Sequence, residues 1–223
     1  MAFNKVSTME IKVCGITNLE DAIFANTYGA DALGFIFYEK SPRYITPETA
    51  KHIIDNLPHD TAVVGVFVNH NIQVLKEIYE FCGLDLIQLH GDESPEYCRQ
   101  FPRSILIKAL SPRSEEDLGI VKNYSVKAIL IDARAHGLYG GTGKKSNWEM
   151  AVKIKEMHPL VLSGGLNPDN ILEAIETVLP NAVDVNSGVE VSPRKKDSEK
   201  MKNIIEMVHA IERKSPVTIF APS

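Results

Sequence analysis

The sequence predicts an α/β fold, a (β/α)8 or TIM barrel that forms a single domain. Eight short runs rich in Val, Ile and Leu recur along the chain, and helix-like stretches alternate with them. The chain has 223 residues, a length that suits eight such units, because these barrels typically have about 250 residues and begin near 200. An open, doubly wound parallel sheet is the competing arrangement, but it usually shows a glycine-rich fingerprint after its first strand. The sequence CGIT stands there instead, which favours the barrel.

The eight runs are almost continuously apolar, which is typical of strands that are buried on both faces of a parallel sheet. They span residues 11–16, 32–37, 62–68, 86–90, 105–110, 128–133, 160–165 and 182–188. We therefore expect these eight segments to be the strands of the barrel.

Four of the other segments carry clear helix signals. Asn18 and Thr46 are predicted N-caps of the first two helices, and Asn167 is the predicted N-cap of the helix after strand seven. Pro47 and Pro168 follow at the first helical position, where proline is well tolerated. The predicted helical segments span residues 18–29, 46–57, 167–178 and 195–214.

We expect one domain over residues 1–223, because no Pro- or Ser-rich linker divides the chain. The barrel takes up about residues 11–214 of it. The tail, residues 215–223, falls outside the repeat. It is either mobile, or it packs Ile219 and Phe220 on the barrel exterior.

Composition excludes several classes of protein. The chain has 24 Lys and Arg against 29 Asp and Glu, a net charge of −5, whereas a general nucleic-acid binder is normally basic. No run approaches the roughly 18 apolar residues of a membrane-spanning helix. The three cysteines are too few for a disulfide scaffold, and the first residues show no signal or transit pattern. We expect a cytoplasmic protein with free thiols that acts on a small molecule.

Barrel enzymes hold their active sites at the C-terminal ends of the strands. On strand one, Cys14 and Lys12 share a face opposite Ile11 and Val13, so Cys14 is predicted to point into the barrel mouth. Asp132 is predicted to point inward at the end of strand six, where a carboxylate is costly unless it is solvated, paired or functional. A thiolate and a carboxylic acid on opposite sides of the mouth would form an acid–base pair. The structural alternatives are a small buried hydrophobe for the cysteine and an ion pair or loop cap for the aspartate.

Lys12 allows two interpretations. Its ammonium group could help to ionise the thiol of Cys14, or it could form an internal ion pair with Asp184 on the neighbouring eighth strand. We favour the ion pair with Asp184.

Glycine-bearing sequences at the ends of strands seven and eight indicate a phosphate site, because glycine lets backbone N–H groups approach phosphate oxygens. The residues concerned are Ser163, Gly164, Gly165, Asn186, Ser187 and Gly188. A long glycine-rich loop, about residues 134–146, contains Gly141 and Gly143. This loop is interpreted as a lid, a second phosphate clamp or a surface turn.

Three further polar residues lie at strand ends. Arg43 follows strand two, and its planar guanidinium suits a carboxylate or a phosphate, although a solvated surface arginine is the alternative. Gln88 and His90 share a face at the end of strand four, and we expect His90 to position the substrate. No clustered His, Asp or Glu spacing indicates a metal site.

Eight motifs follow one another along the chain: KVCGIT, GFIFYEKSPRYI, VGVFVN, IQLHGDES, ILIDA, GGTGK, VLSGGLNPDNI and DVNSGVE. They stand in the order found in the phosphoribosylanthranilate isomerase family of tryptophan biosynthesis, which the chain resembles from about residue 11 to about residue 206. The resemblance implies a barrel that isomerises N-(5-phosphoribosyl)anthranilate to 1-(2-carboxyphenylamino)-1-deoxyribulose 5-phosphate. It implies an Amadori rearrangement that uses neither a metal nor an organic cofactor.

The resemblance also implies roles for individual residues. Cys14 corresponds to the general base of the family, Asp132 to its general acid, and Arg43 to the arginine that contacts the anthranilate carboxylate. Two alternatives stay open: another phosphosugar barrel enzyme, and a non-catalytic barrel that binds an aromatic phosphosugar. The sequence allows a monomer or a homodimer.

Overall fold

The structure is a computed structural model that describes residues 8–58, 61–112, 114–132, 148–212 and 217–220. Eight parallel strands close into a barrel in sequence order, and the eighth strand pairs with the first. The strands are β1 (Glu10–Cys14), β2 (Ala32–Ile36), β3 (Ala62–Phe67), β4 (Leu86–Leu89), β5 (Leu106–Leu110), β6 (Ala128–Ile131), β7 (Leu160–Leu162) and β8 (Ala182–Val185). This closure confirms the predicted barrel and excludes the open sheet. That residues 1–223 form a single domain stays a prediction.

Helices alternate with the strands around the ring. They are α1 (Leu19–Thr27), α2 (Pro47–Ile54), α3 (Ile72–Cys82), α4 (Pro95–Cys98), α5 (Glu115–Val121), α6 (Trp148–Lys155), α7 (Ile171–Val178) and α8 (Ser198–His209). Asn18 and Thr46 cap α1 and α2 as predicted, each accepting a hydrogen bond from a backbone N–H in the first turn. Among the described residues, no helix combines the length and the apolar composition needed to cross a membrane.

The predicted bounds differ from the structure most at the last two strands and the last two helices. β7 ends at Leu162, because Gly164 and Gly165 have positive φ angles of 92° and 75° that take the chain out of the sheet. β8 ends at Val185, before a short 3-10 turn at Ser187–Val189. α7 begins at Ile171 rather than near residue 168. The side chain of the predicted cap, Asn167, accepts from the N–H of Asp169 and closes a turn before the helix.

A further error lies at the last helix, which was predicted to begin at residue 195. Residues 190–196 instead form a hairpin of two short antiparallel strands, β9 (Glu190–Ser192) and β10 (Lys195–Lys196). α8 begins after this hairpin, where the side chain of Asp197 accepts from the N–H of Lys200. The hairpin was missed because its two-residue strand is too short to show a periodic pattern.

The alternation predicted for β1 is confirmed. Ile11 and Val13 belong to the apolar cluster shared with the surrounding helices. Cys14 instead lies inside the barrel mouth, against Ile36 and Val66. Side chains on the inner face of each strand therefore line one continuous interior that ends at the mouth.

The described part of the C-terminal tail, residues 217–220, lies at the opposite end of the barrel. Ile219 and Phe220 are fully buried among inner-face residues at the beginnings of the strands, such as Ala32, Ala62 and Ala182. These alanines leave space that the two tail side chains fill. The predicted packing on the barrel exterior is therefore wrong.

Glu10 fixes the tail in this position. Its buried carboxylate accepts the backbone N–H of Ile219 at 2.7 Å and that of Phe220 at 3.2 Å. The two bonds satisfy a carboxylate that would otherwise be costly to bury.

We expect the variant Ile219→Ala/Phe220→Ala to lose about 5–10 kcal/mol of unfolding free energy, because it removes two buried side chains from the barrel floor and each such truncation costs about 2–5 kcal/mol. Urea denaturation followed by far-ultraviolet circular dichroism measures the change in midpoint. Val217→Ala is the control, since Val217 is 41% exposed in the same segment. An unchanged midpoint in the double variant would show that the tail adds nothing to stability.

Candidate active site

Cys14 is the last residue of β1 and stands at the mouth of the barrel with only 4% of its surface exposed. All three cysteines, Cys14, Cys82 and Cys98, are free thiols. Cys82 and Cys98 lie at the ends of α3 and α4, where burial raises the pKa of each thiol to about 11. Of the three, Cys14 alone stands at a strand end.

Lys12 and Asp184 form a buried ion pair two residues before Cys14, with Nζ and Oδ1 2.7 Å apart. This confirms the predicted pairing. Burial opposes the charged form of Lys12, but attraction to Asp184 and to Cys14 outweighs it and raises the pKa of the ammonium group. A protonated Lys12 therefore lies within electrostatic reach of the thiol.

The pKa of Cys14 reflects opposing effects. Burial raises the pKa of the thiol, while the positive charges of Lys12 and Lys196 lower it and the negative charge of Asp184 raises it. The net result is a pKa above the ordinary value of 9.0. The two lysines thus limit a rise that burial alone would make larger.

Asp132 follows β6 directly and is 7% exposed. Its Oδ2 atom lies 3.1 Å from Nε2 of His90, and Nδ1 of His90 lies 2.8 Å from Nε2 of Gln88. Gln88, His90 and Asp132 therefore form one buried line of hydrogen bonds that runs from β4 to β6. The charges of Asp132 and His90 both act on Asp184, which pairs with Lys12 next to Cys14, so the predicted acid and base share one mouth.

The loops after β7 and β8 touch each other, as a shared phosphate site requires. A Cβ atom on Gly188 would lie 1.9 Å from the carbonyl oxygen of Leu166, so only glycine allows this contact. Ser163 is buried at the end of β7, where its N–H donates to the carbonyl of Ile131. Ser187 and Gly188 lie in a short 3-10 turn that follows Asn186.

Free backbone donors point to an anion site in these two loops. Within the described part of the chain, the N–H groups of Gly164, Gly165, Ser187 and Gly188 donate to no protein acceptor. Backbone N–H groups of this kind suit the oxygens of a phosphate.

Arg43 is buried rather than solvated, so the alternative of a surface arginine is wrong. Its guanidinium donates to both carboxylate oxygens of Glu190, through Nε at 2.8 Å and Nη2 at 2.6 Å. Lys196 donates to the same carboxylate at 3.0 Å and to Oδ1 of Asn186 at 3.1 Å. Sequence reasoning missed Glu190 and Lys196 because both come from the hairpin of β9 and β10. The signal that could have found them is the pair of oppositely charged residues that flanks this turn.

Gly141 and Gly143, the two predicted residues of the long loop, lie outside the described residues, as does the rest of that loop. The other eleven predicted residues lie at strand ends or in the loops that follow the strands. Among the residues that the structure describes, no group of three or more His, Cys, Asp or Glu side chains could hold a metal ion.

Comparisons with known proteins identify the family. Residues 11–207 match the family model described as N-(5'-phosphoribosyl)anthranilate (PRA) isomerase. The N-(5'-phosphoribosyl)anthranilate isomerase of Syntrophus aciditrophicus is 56% identical over 89% of this chain and 86% of its own length. That of Citrifermentans bemidjiense is 50% identical over 88% of this chain and 95% of its own.

Solved structures agree with these sequence matches. The phosphoribosyl anthranilate isomerase of Thermotoga maritima has a TM-score of 0.84 and 44% identity, covering 91% of this chain and 100% of its own. Another phosphoribosyl anthranilate isomerase structure, described in complex with reduced 1-(o-carboxyphenylamino)-1-deoxyribulose 5-phosphate, has a TM-score of 0.80 and 41% identity over the same shares. A third structure, of monomers generated from the dimeric Thermotoga maritima enzyme, has a TM-score of 0.81 and 41% identity, again over the same shares. The chain belongs to the N-(5'-phosphoribosyl)anthranilate isomerase family.

Proposed function

We propose that this chain converts N-(5-phosphoribosyl)anthranilate to 1-(2-carboxyphenylamino)-1-deoxyribulose 5-phosphate in tryptophan biosynthesis, with Asp132 as general acid and Cys14 as general base. The observation that carries this assignment is that both side chains end at the same barrel mouth, on β1 and after β6. The carboxyl group of Asp132 and the thiol of Cys14 can lie on opposite sides of a bound sugar, whose ring oxygen and C2 hydrogen both take part in the reaction.

The proposed reaction balances without an external oxidant or reductant. Asp132 gives its proton to the furanose ring oxygen, the C1–O bond breaks, and the anthranilate nitrogen forms a C1=N Schiff base. Cys14 then removes the proton from C2, and the electron pair of the C–H bond reduces the C1=N bond to give an enolamine. Tautomerisation protonates C1 and leaves a ketone at C2. C1 is thus reduced while C2 is oxidised.

The line of hydrogen bonds at Asp132 suits a carboxyl group that gains and loses a proton. A neutral imidazole has one donor and one acceptor nitrogen. With Asp132 ionised, Nε2 of His90 donates to it and Nδ1 accepts from Gln88. With Asp132 protonated, Nε2 of His90 accepts a hydrogen bond from the carboxyl group. Nδ1 of His90 then donates to Oε1 of Gln88, once the side-chain amide of Gln88 has rotated by about 180°. Oε1 has no other partner among the described residues.

The substrate is proposed to bind through its two anionic ends. The phosphate binds the free backbone N–H groups of Gly164, Gly165, Ser187 and Gly188, in the loops after β7 and β8. Ser163 and Asn186 begin these two loops and stay predicted contacts of the substrate. The anthranilate carboxylate binds Arg43. Gln88 and His90 complete the wall on the β4 side, and Gly141 and Gly143 stay predicted contacts.

The setting of the reaction is part of the same proposal. The three free thiols suit the reducing cytoplasm. The acid–base chemistry is proposed to need neither a metal nor a cofactor, and no nucleic acid or membrane takes part in it. A monomer or a homodimer stays the prediction for the assembly.

We expect the thiol of Cys14 to ionise with a midpoint above pH 9.0, because burial outweighs the attraction of Lys12 and Lys196. The thiolate absorbs near 240 nm, so the difference in absorbance between the native chain and Cys14→Ser reports this one group during a pH titration. Asp184 is the nearby acidic group that acts in the same direction as burial. A midpoint below pH 8 would show that the lysine charges dominate over burial.

The activity itself is tested by following the fluorescence of phosphoribosylanthranilate, made in situ, with purified protein and a chelator present. Loss of fluorescence faster than spontaneous hydrolysis, with the carboxyphenylamino-deoxyribulose phosphate identified as product, supports the proposal. Folded protein that gives no acceleration would refute it, in favour of another phosphosugar or of binding without turnover.

A further inference from the structure

Arg43 belongs to a buried cluster of three charged side chains. Glu190 accepts from both Nε and Nη2 of Arg43, at 2.8 Å and 2.6 Å, and from Lys196 at 3.0 Å. The side chains of all three residues are at most 7% exposed. With Lys196 protonated, two positive charges surround one carboxylate, so the cluster keeps one net positive charge. One anionic group of a ligand would balance it.

Glu190 occupies only one edge of the guanidinium. Nη1 of Arg43 makes no hydrogen bond to a partner among the described residues. The stem of Arg43 runs across Gly15, where a Cβ atom would lie 2.8 Å from its Cδ. The guanidinium group and the aliphatic part of Arg43 are therefore both held in place. The edge of the guanidinium that carries Nη1 can bind a planar anion.

Arg43 lies close to the thiol of the active site. The charge of Cys14 acts on Arg43, and it acts on Lys196 as well. A Cβ atom on Gly15 would also lie 2.7 Å from Oδ1 of Asn186, the atom that accepts a hydrogen bond from Lys196. The cluster therefore stands beside the general base.

The hairpin of β9 and β10 determines where Glu190 lies. The N–H of Lys196 donates to Asp21 at 3.0 Å, and Thr17 donates to the carbonyl of Arg194 at 3.0 Å. Both contacts tie the hairpin to the segment after β1. Hydrogen bonds to the segment after β1 therefore hold the hairpin that carries Glu190 in place.

We propose that Glu190 is the positioning residue that holds Arg43 ready for the carboxylate of the substrate, and that it thereby makes the site specific for carboxylated aryl amines. The inference rests on the proposed function, since it takes the anthranilate carboxylate to be the ligand of Arg43. Glu190 touches no reacting atom, and it exerts this positioning role through Arg43.

The first test compares steady-state kinetics of the native chain with Glu190→Gln. We expect KM for phosphoribosylanthranilate to rise about tenfold while kcat stays within about threefold, because a neutral amide cannot hold both guanidinium nitrogens and the carboxylate is bound equally in the ground and transition states. Removing a negative charge by itself would strengthen binding of an anion. An unchanged or lower KM would therefore overturn the positioning role.

A pair of inhibitors separates positioning from general loosening of the site. One is the product, and the other is 1-phenylamino-1-deoxyribulose 5-phosphate, which lacks the carboxylate. We expect Glu190→Gln to raise the inhibition constant of the first and to leave that of the second within about twofold. An equal rise for both inhibitors would refute the inference.

A double variant tests whether Glu190 acts through Arg43. In an Arg43→Ala background, which itself should mainly raise KM, Glu190→Gln is expected to add less than about twofold to KM. A full additive effect would assign Glu190 an independent role and overturn the inference. Asp31→Asn is the control, because it removes a partly buried carboxylate that bonds Ile11 and His209, outside the active site.

Glu190→Asp is the second variant, for use if Glu190→Gln does not fold. It keeps the negative charge on a shorter side chain that cannot reach both guanidinium nitrogens, and we therefore expect it to raise KM. A native KM in Glu190→Asp would then overturn the inference. If the native chain turns over phosphoribosylanthranilate but the variants match it, this inference fails while the proposed function stands. If the native chain shows no turnover, the proposed function fails first.

Discussion

Replacing Cys14 with alanine is expected to lower kcat by a factor of about 10²–10⁴, the usual contribution of a general base. The variant removes a single sulfur atom from a small cluster with Ile36 and Val66, so the barrel should fold as before. KM should change by less than about threefold, because the thiol binds neither the phosphate nor the carboxylate. The measurement is the fluorescence time course on phosphoribosylanthranilate.

Cys82→Ala and Cys98→Ala are the matched controls for this prediction. Both residues are buried thiols on helices, away from the strand ends. Each control should keep native kcat. A Cys14→Ala variant with kcat within about threefold of the native chain would remove Cys14 from the mechanism, since a lost general base costs at least about 10².

Asp132→Asn is expected to be at least as damaging, with a loss of about 10²–10⁴ in kcat. The amide has the shape of the carboxyl group and can still contact Nε2 of His90, 3.1 Å away in the native chain, but it has no acidic proton to give to the ring oxygen. Binding of the reduced product analogue, measured by titration calorimetry, should persist. Loss of both binding and turnover would indicate a structural role instead.

Asp55→Asn serves as the control for Asp132→Asn. Asp55 is an exposed carboxylate that pairs with Lys51 on the surface, so its removal should leave kcat and KM unchanged. Native activity in Asp132→Asn would refute its assignment as the general acid.

The direction of the inner-face side chains could be predicted because it depends on local geometry. A strand alternates its side chains with a period of two, and a parallel barrel places apolar residues on its helix side. Lys12, Cys14 and Asp132 were therefore assigned to the interior from their neighbours alone. The caps at Asn18 and Thr46 could be predicted for the same reason, since each bonds a residue three positions away.

Two of the missed contacts join residues that are far apart in the chain. Arg43 and Glu190 are 147 positions apart, and Glu10 and Phe220 are 210 apart. No local pattern marks such partners, because either residue alone is an ordinary charged or apolar side chain. The alternatives for Arg43 and for the tail therefore stayed open until the fold brought the partners together.

The sequence by itself determined the barrel, the inward direction of Cys14 and Asp132, and the glycine-bearing strand ends, because each depends on a short repeating pattern. Only the tertiary structure decided that Glu190 and Lys196 fix Arg43, and that Ile219 and Phe220 close the barrel floor. Both depend on closure of the ring, which brings β8 and the hairpin after it against β1 and opens an interior wide enough for the tail.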